Sequence, residues 1–223
     1  MKLQKIGSHR VVMSNPQGKA CYFAWPSIAR LQNGRLAVVA SRYRYEHICP
    51  FGKVVISYSE DEGEHYTAPA PIIDTPLDDR DAGILAFGDK GVMVTSFNNA
   101  VSFQKEHAGR HGATQERRDH LAQLFAGCLG MVTEEEEKRY LGSEFCISQD
   151  GGVTFGPLYH SPVTSPHGPC LLRDGSILWV GRTFNAYDHF CTGYEDHGLP
   201  CYGGRQGRGS RHHPACDGGR KAA

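Results

Sequence analysis

The sequence has no excess of charge of either sign and no long apolar run. Lysine plus arginine and aspartate plus glutamate number 24 each among the 223 residues, so no overall field attracts nucleic acid or an anionic membrane. No stretch approaches the ~20 apolar residues of a membrane-spanning helix. We therefore expect neither nucleic acid nor a membrane as partner.

The N-terminus lacks the apolar segment of a secretory signal. Residues 1–10 are basic but contain no apolar core, which predicts a cytoplasmic protein. The eight cysteines include no Cys-x-x-Cys pair, and without a signal we expect reduced thiols. His107 and His111 have a helical metal-ligand spacing, but no third ligand is evident and a polar insertion is the simpler interpretation. We expect no metal and no cofactor.

What the sequence does contain is an internal repeat, Ser-x-Asp-x-Gly-x-x-aromatic, found twice after an apolar run. The residues of the two copies are Ser59, Asp61, Gly63 and Tyr66, then Ser148, Asp150, Gly152, Thr154 and Phe155. Asp150 can accept hydrogen bonds from nearby backbone N–H groups, and Gly152 can adopt a positive φ. Phe155 and Tyr66 are expected to be buried behind their turns. Neither loop has the alternating oxygen ligands of an EF-hand.

The repeated turn resembles the Asp box of sialidases and their relatives. The second copy differs from the usual form only in Phe155, which replaces Trp, whereas the first copy has His65 where Thr is usual. The resemblance implies an all-β, six-bladed propeller in which the box is a structural turn remote from the pocket.

A strand–turn–strand rhythm recurs three times and is typical of propeller blades with four antiparallel strands. Its three turns contain Asn33-Gly34, Gly88–Gly91 and Asp174-Gly175, and the flanking strands are expected over 25–31 with 36–42, 81–87 with 92–98, and 168–173 with 176–182. Further strands are expected at 53–57, 71–73 and 143–147.

Residues 99–141 interrupt this rhythm as a helical insertion. Apolar residues there have helical spacing at Leu121, Leu124, Phe125 and Leu129. Thr133 and Glu136 are spaced as a capping box that opens a second helix.

Residues 1–188 would then form about two and a half blades, the N-terminal portion of a six-bladed fold. Residues 189–223 are rich in Gly, Arg, His and Cys, which indicates a disordered or frame-shifted tail. An unclosed ring exposes a sheet edge, so self-association is expected.

The start of the first strand and the end of the second lie at one edge of each repeat, and the three edges should line one pocket. The candidate residues at these edges are Trp25, Arg42, Asp79, Arg80, Asp81, Asn98, His167 and Arg182. We expect Asp81 or Asp79 to carry the proton and the other residues to bind substrate. The alternatives are that the acidic stretch 78–81 is a solvated loop, that His167 only lines the pocket, and that Trp25 only packs the blade. His47 and Cys49 form a weaker candidate pair, since an ordinary buried cysteine explains the latter.

Sialidases hold the substrate carboxylate with an arginine cluster, use an Asp as general acid/base, and have a Tyr nucleophile assisted by a Glu. The segment 22–27 is similar to the family's first-blade Phe-Arg-Ile-Pro motif, but Ala24 replaces the arginine. The segment 165–175 is similar to a second family motif. The resemblance implies a glycoside hydrolase acting on glycans with terminal acidic sugars. The alternatives are a non-catalytic carbohydrate-binding module or another glycan-active enzyme such as a lyase.

Overall fold

The computed structural model describes residues 9–15 and 18–183 of the chain. Within them the protein is mostly β-sheet, with two four-stranded antiparallel sheets, three helices and two short strand pairings. No helix in this described part is long and apolar enough to cross a membrane. The predicted tail at 189–223 lies outside the described residues.

The first sheet consists of β1 (Tyr22–Arg30), β2 (Leu36–Arg44), β3 (Lys53–Ser59) and β4 (Ala70–Ile73), paired in chain order. Most side chains of β2 and β3 are buried, as their dense apolar sequences predict for central strands. The β1–β2 hairpin turns at Gly34, whose φ of 86° is the conformation for which the Asn-Gly pair is favoured.

The second sheet repeats this order with β5 (Arg80–Phe87), β6 (Gly91–Phe97), β7 (Ser143–Ser148) and β8 (Tyr159–Ser161). The strand β5 lies against β1, β2 and β3, so the two sheets pack face to face. One buried apolar cluster joins them; it includes Val39, Val54, Ile56, Ala82, Ile84, Val92, Val94 and Cys146.

Three helices, α1 (Val101–His107), α2 (Gln115–Leu129) and α3 (Glu134–Tyr140), lie between β6 and β7. The helix α2 buries Leu121, Phe125 and Leu129, and this apolar face covers the loop between β2 and β3. The capping box predicted at the start of α3 is confirmed. The insertion therefore packs over the end of the first sheet.

The third repeat is shorter than the sequence predicts. It has one small hairpin, β10 (Cys170–Leu171) with β11 (Ile177–Leu178), and a separate pairing of β9 (Val163–Thr164) with β12 (Arg182–Thr183). The apolar side chains of β10 and β11 are exposed, about 40% each. The prediction of two long strands over 168–182 is wrong for the described residues, because no further strand covers them.

The two repeated turns have the same internal hydrogen bonds. Ser59 and Ser148 each donate to the aspartate two residues on, and each accepts from the glycine N–H four residues on. The carboxylate of Asp150 also accepts from the N–H of Thr154 at 2.9 Å and from its hydroxyl at 2.5 Å.

His65 replaces this threonine in the first turn, where its N–H and its ring Nδ1 bond Asp61 at 2.9 and 2.6 Å. An imidazole therefore makes the contacts of a hydroxyl at the equivalent position. Phe155 and Tyr66 are only half-buried behind the turns, so the expectation that both rings would be buried is wrong. Phe155 still packs on the core that joins the sheets.

Candidate functional site

Three residues at equivalent places in the three repeats have a left-handed backbone. They are Trp25 in β1 (φ 51°), Asp81 in β5 (φ 51°) and His167 before β10 (φ 65°). The register of β1 and β5 shifts at a bulge at this point, since the bulge falls between Ala24 and Ser27 in β1 and between Arg80 and Gly83 in β5. A positive φ is costly for a residue with a Cβ and is concentrated at functional sites. We therefore take the edge that carries Trp25, Asp81 and His167 as the candidate site.

Gly83 explains how the third repeat reaches the second. A Cβ at this position would lie 2.6 Å from the carbonyl of His167 and 2.4 Å from Oγ1 of Thr95, closer than packed atoms allow. The glycine thus lets the backbone at His167 rest directly on β5, two residues from Asp81.

Behind this edge lies a buried cluster of charged side chains. Arg44 and Asp78 are both 0% exposed, and Nη2 of Arg44 lies 2.6 Å from Oδ1 of Asp78. The Arg44 guanidinium also donates to Oγ of Ser41, at 2.8 Å, and to the carbonyl of His47, at 2.6 Å. The other carboxylate oxygen of Asp78 accepts from the N–H of Cys49, at 3.1 Å. A buried charge needs such partners, so this pair fixes the loop after β2 against the start of β5.

Arg80 extends the cluster toward the surface. Its Nη1 lies 3.6 Å from Asp78, its Nε lies 3.9 Å from Asp81, and its Nη2 lies 3.0 Å from Nε2 of His47. Its guanidinium carbon is also 4.6 Å from the centre of the Trp25 ring, and that of Arg44 is 5.0 Å from the same ring. The indole thus covers both cations, and only 5% of Arg80 is exposed.

Asp79 is a structural residue rather than a member of the open site. Its two carboxylate oxygens accept from the N–H and the hydroxyl of Thr75, each at 2.7 Å, and the side chain is 0% exposed. Burial raises the pKa of Asp79 to about 7, although these two bonds favour the charged form. The prediction that Asp79 carries the proton has no geometric support, because both oxygens hold the turn before β5.

Asp81 has the surroundings expected of a proton carrier. Burial raises the pKa of its carboxyl above the ordinary value, and the charges of Arg80 and His167 oppose that shift. Its Oδ1 is buried and accepts no hydrogen bond from the described residues. Nδ1 of His167 lies 3.5 Å from the hydroxyl of Ser27, which brings the third repeat close to the first. A largely buried carboxyl, 7% exposed, with a raised pKa is a candidate for acid–base chemistry.

Arg42, one of the sequence-predicted binding residues, lies outside this cluster. Arg42 stacks on Phe23 and Tyr43, with its guanidinium carbon 5.1 and 4.4 Å from their ring centres. Arg42 therefore does not lie beside Arg80 in the charged cluster, and Arg44 lies there instead. Arg182 is exposed on β12, where it pairs with Thr164.

Asn98 uses its whole amide group inside the protein. Its Nδ2 donates to the carbonyl of Tyr140 at 2.7 Å, and its Oδ1 accepts from the N–H of Gly142 at 2.9 Å. It holds the end of the insertion at the end of β6 and is 0% exposed, so it is not available to a ligand.

Sequence reasoning missed Arg44 and did not identify the partner of His47. Cys49 is buried, and burial raises the pKa of its thiol to about 11, so the alternative of an ordinary buried cysteine holds and no Cys–His pair forms. His47 instead bonds Arg80, and burial, with the charges of Arg80 and Arg44, lowers the pKa of its imidazole to about 4. No local signal separated Arg44 from Arg42, because residues two apart on a strand normally share a face, and here the left-handed backbone of Tyr43 (φ 64°) turns them apart.

Glu144 on β7 is a second residue that the sequence pattern did not reveal. It is 1% exposed, and neither carboxylate oxygen accepts a hydrogen bond from the described residues. Burial, with a further contribution from Asp79, raises the pKa of Glu144 to about 8. Its signal was a charged residue inside an otherwise uncharged strand.

The comparisons with known proteins give similarity of fold alone. No family model matches the chain, and no curated protein matches it. The solved structures include a protein of unknown function from Dyadobacter fermentans, with a TM-score of 0.51, 17% identity and 76% of this chain covered. This chain spans about half of that protein, 48% of its length.

Two sialidases also appear among the solved structures. The Hadza microbial sialidase Hz136 has a TM-score of 0.45 and 14% identity, over 70% of this chain and 31% of its own. The NanB sialidase from Streptococcus pneumoniae has a TM-score of 0.34 and 17% identity, over 39% of this chain and 17% of its own. Similarity at this level does not identify an activity.

Proposed function

We propose that the chain is part of a sialidase-like β-propeller and that its open edge belongs to a glycoside hydrolase site for glycans with terminal acidic sugars. The observation that carries the proposal is the carboxyl of Asp81. It lies on a left-handed backbone at the edge where three repeats meet, has a raised pKa, and has one buried oxygen without a hydrogen-bond donor among the described residues.

In this mechanism Asp81 is the general acid that protonates the leaving oxygen of the glycosidic bond. A carboxyl group with a raised pKa keeps its proton to a higher pH than an ordinary aspartate does, so it is better able to donate that proton to the leaving oxygen. Arg80 is a positioning residue: its guanidinium lies 3.9 Å from the carboxyl of Asp81 and limits how far its pKa rises. His167 and Ser27, which are within 3.5 Å of each other, are the polar groups we expect to contact the sugar.

The experiment is hydrolysis of a panel of 4-methylumbelliferyl glycosides, headed by the sialoside, by the 223-residue chain. Asp81→Asn should lower kcat at least ~100-fold, the lower end of what a positioned acid contributes. Asp74→Asn is the matched control, because Asp74 is a half-exposed acid of the same segment that pairs with Lys53. Since the acid must be protonated, kcat should fall as pH rises through the pKa of Asp81. Turnover that Asp81→Asn leaves unchanged would refute the proposed role.

The second candidate is a non-catalytic carbohydrate-binding module. It is favoured by the arginines, since Arg42 is stacked on aromatic rings, Arg80 is nearly buried and Ala24 replaces the family's first arginine. A carboxylate ligand would then lack the bidentate clamp that a sialidase uses. Binding of glycans without hydrolysis of any of the panel would favour this module over the hydrolase.

A further inference from the structure

A cleft of about 460 Å³ lies between the loop after β2 and the helical insertion. We name it the insertion cleft; its lining includes Tyr22, Tyr45, His47, His107, Arg110 and His111. Its volume is that of an ordinary small-molecule site, roughly 300–1,000 Å³. None of the roles assigned so far uses this space.

The walls of the insertion cleft are fixed by buried contacts. Glu46 is 4% exposed, and its two carboxylate oxygens accept from the N–H groups of Gly109 and His111 at 2.5 and 3.1 Å. Tyr45, in the same loop, packs edge-on against Phe125 of α2, with ring centres 6.4 Å apart. These contacts hold the loop and the insertion together, so the cleft is a preformed feature of the fold.

The hydrogen bond between His47 and Arg80 fixes the chemistry of one wall. A guanidinium has only donors, so Nε2 of His47 must be the acceptor and the proton of the neutral ring must lie on Nδ1. The lowered pKa of His47, about 4, keeps the ring in this neutral form at physiological pH. His47, which lines the cleft, therefore carries one N–H donor and no charge.

The remaining groups favour a neutral ligand with an apolar face. The guanidinium of Arg110 is 3.6 Å from the carboxylate of Glu106, which offsets its charge while leaving donors free to bond. Tyr22 is 39% exposed and presents an aromatic ring at the cleft. A hexose has both required properties, because its C–H face packs on an aromatic ring and its hydroxyls accept from N–H groups.

Trp25 lies between the insertion cleft and the candidate site. The Trp25 ring makes edge contacts with Tyr22 at 6.3 Å and with His47 at 5.1 Å, and it also covers Arg80, the neighbour of Asp81. We propose that the insertion cleft binds the neutral hexose that follows the terminal sugar of the glycan, with Tyr22 as its stacking face and His47 and Arg110 as its donors. This inference rests on the proposed function, and it assigns to the helical insertion the choice of the penultimate sugar.

The test is calorimetric titration of the 223-residue Asp81→Asn variant, which should not hydrolyse its ligands. The probes are 3′-sialyllactose, N-acetylneuraminic acid and lactose. We expect Tyr22→Ala to weaken the binding of 3′-sialyllactose and of lactose at least fivefold and to leave the affinity for N-acetylneuraminic acid unchanged. Tyr159→Ala is the matched control, since Tyr159 is a 49% exposed tyrosine of the second sheet that does not line the insertion cleft.

Arg110→Gln should weaken the binding of the same two probes two- to threefold. Lys138 is an exposed cation of α3, and Lys138→Gln should leave the affinity for both probes unchanged. A melting curve shows whether each variant is folded. Equal affinity for 3′-sialyllactose and N-acetylneuraminic acid, or lactose binding that Tyr22→Ala does not alter, would overturn the inference. Failure to bind any of the three probes would overturn it too. If lactose binds as expected but the parent hydrolyses no glycoside, the neutral-sugar site stands and the hydrolase proposal fails.

Discussion

The first strands of the two sheets, β1 and β5, have the same bulge with a φ of 51° but place different side chains there. In β1 the residue is Trp25, whose ring covers the buried cations of Arg44 and Arg80. In β5 it is Asp81, whose carboxyl has a raised pKa at the open edge. The backbone therefore supplies one geometry, while the side chain determines whether the position supports the fold or offers chemistry. We expect removal of Trp25 to destabilise the fold and removal of the Asp81 charge not to, a contrast that mutations can test.

The largest effect should come from breaking the buried pair beneath both strands. Asp78→Ala leaves Arg44 as an unpaired charge that is 0% exposed, and we expect a loss of about 3–5 kcal/mol in the free energy of unfolding. Chemical denaturation measures it, with Asp74→Ala as the control, since the half-exposed Asp74–Lys53 pair should be worth ~1 kcal/mol or less. Equal losses for the two variants would mean that the buried cluster does not support the edge.

Trp25→Ala tests the stabilising side directly. Trp25 is partly buried, so its removal should cost about 2–3 kcal/mol, less than the 3–5 kcal/mol typical of a fully buried aromatic ring. The free energy of unfolding at neutral pH is the measurement. If β1 stabilises the fold more than β5 does at this position, Trp25→Ala should lose more free energy of unfolding than Asp81→Asn. A larger loss for Asp81→Asn would contradict the contrast between the two strands.

Glu144→Gln tests how far buried carboxyls set the pH dependence of stability. The folded pKa of about 8 lies above the ordinary 4.5, so the folded state binds the extra proton between these values. Stability should therefore fall as pH rises through that window. The glutamine variant should remove on the order of 2 kcal/mol of this decline, measured by urea unfolding at pH 5 and pH 8. The part of the pH-dependent loss of stability that comes from Asp79 should remain in the variant. A glutamine variant whose stability falls with pH as steeply as that of the parent would show that Glu144 is not the group responsible.

Asp81→Asn should have the smallest effect on stability. Because the raised pKa means that the charged form is disfavoured in the folded state, a neutral isostere should change the free energy of unfolding by less than about 1 kcal/mol at pH 7 and not lower it. Thermal melting of parent and variant measures the difference. A clear loss of stability would place Asp81 with the structural residues and remove the contrast with Trp25.

The sequence by itself determined the local features. The Asn-Gly turn, the capping box at Thr133, the apolar face of α2 and the strand pairs of the first two repeats all follow from short-range rules of φ preference and apolar period. The sequence also placed Asp81, Trp25 and His167 at the strand edges, where the structure has them. These features depend on neighbours within a few residues, so a single sequence is enough to predict them.

Only the tertiary structure decided which charged residues meet. Arg42 and Arg44 are two residues apart, but Tyr43 between them has a φ of 64°, and one arginine stacks on Phe23 while the other pairs with Asp78. Asp79 and Asp81 are equally close in sequence, yet one holds a turn and the other lies at the edge. Burial and hydrogen-bond partners come from residues distant in the chain, such as Cys49 to Asp78 or His47 to Arg80. Local pattern cannot supply them, because the bulges rotate neighbouring side chains to different sides and the packing of the two sheets sets what each one meets.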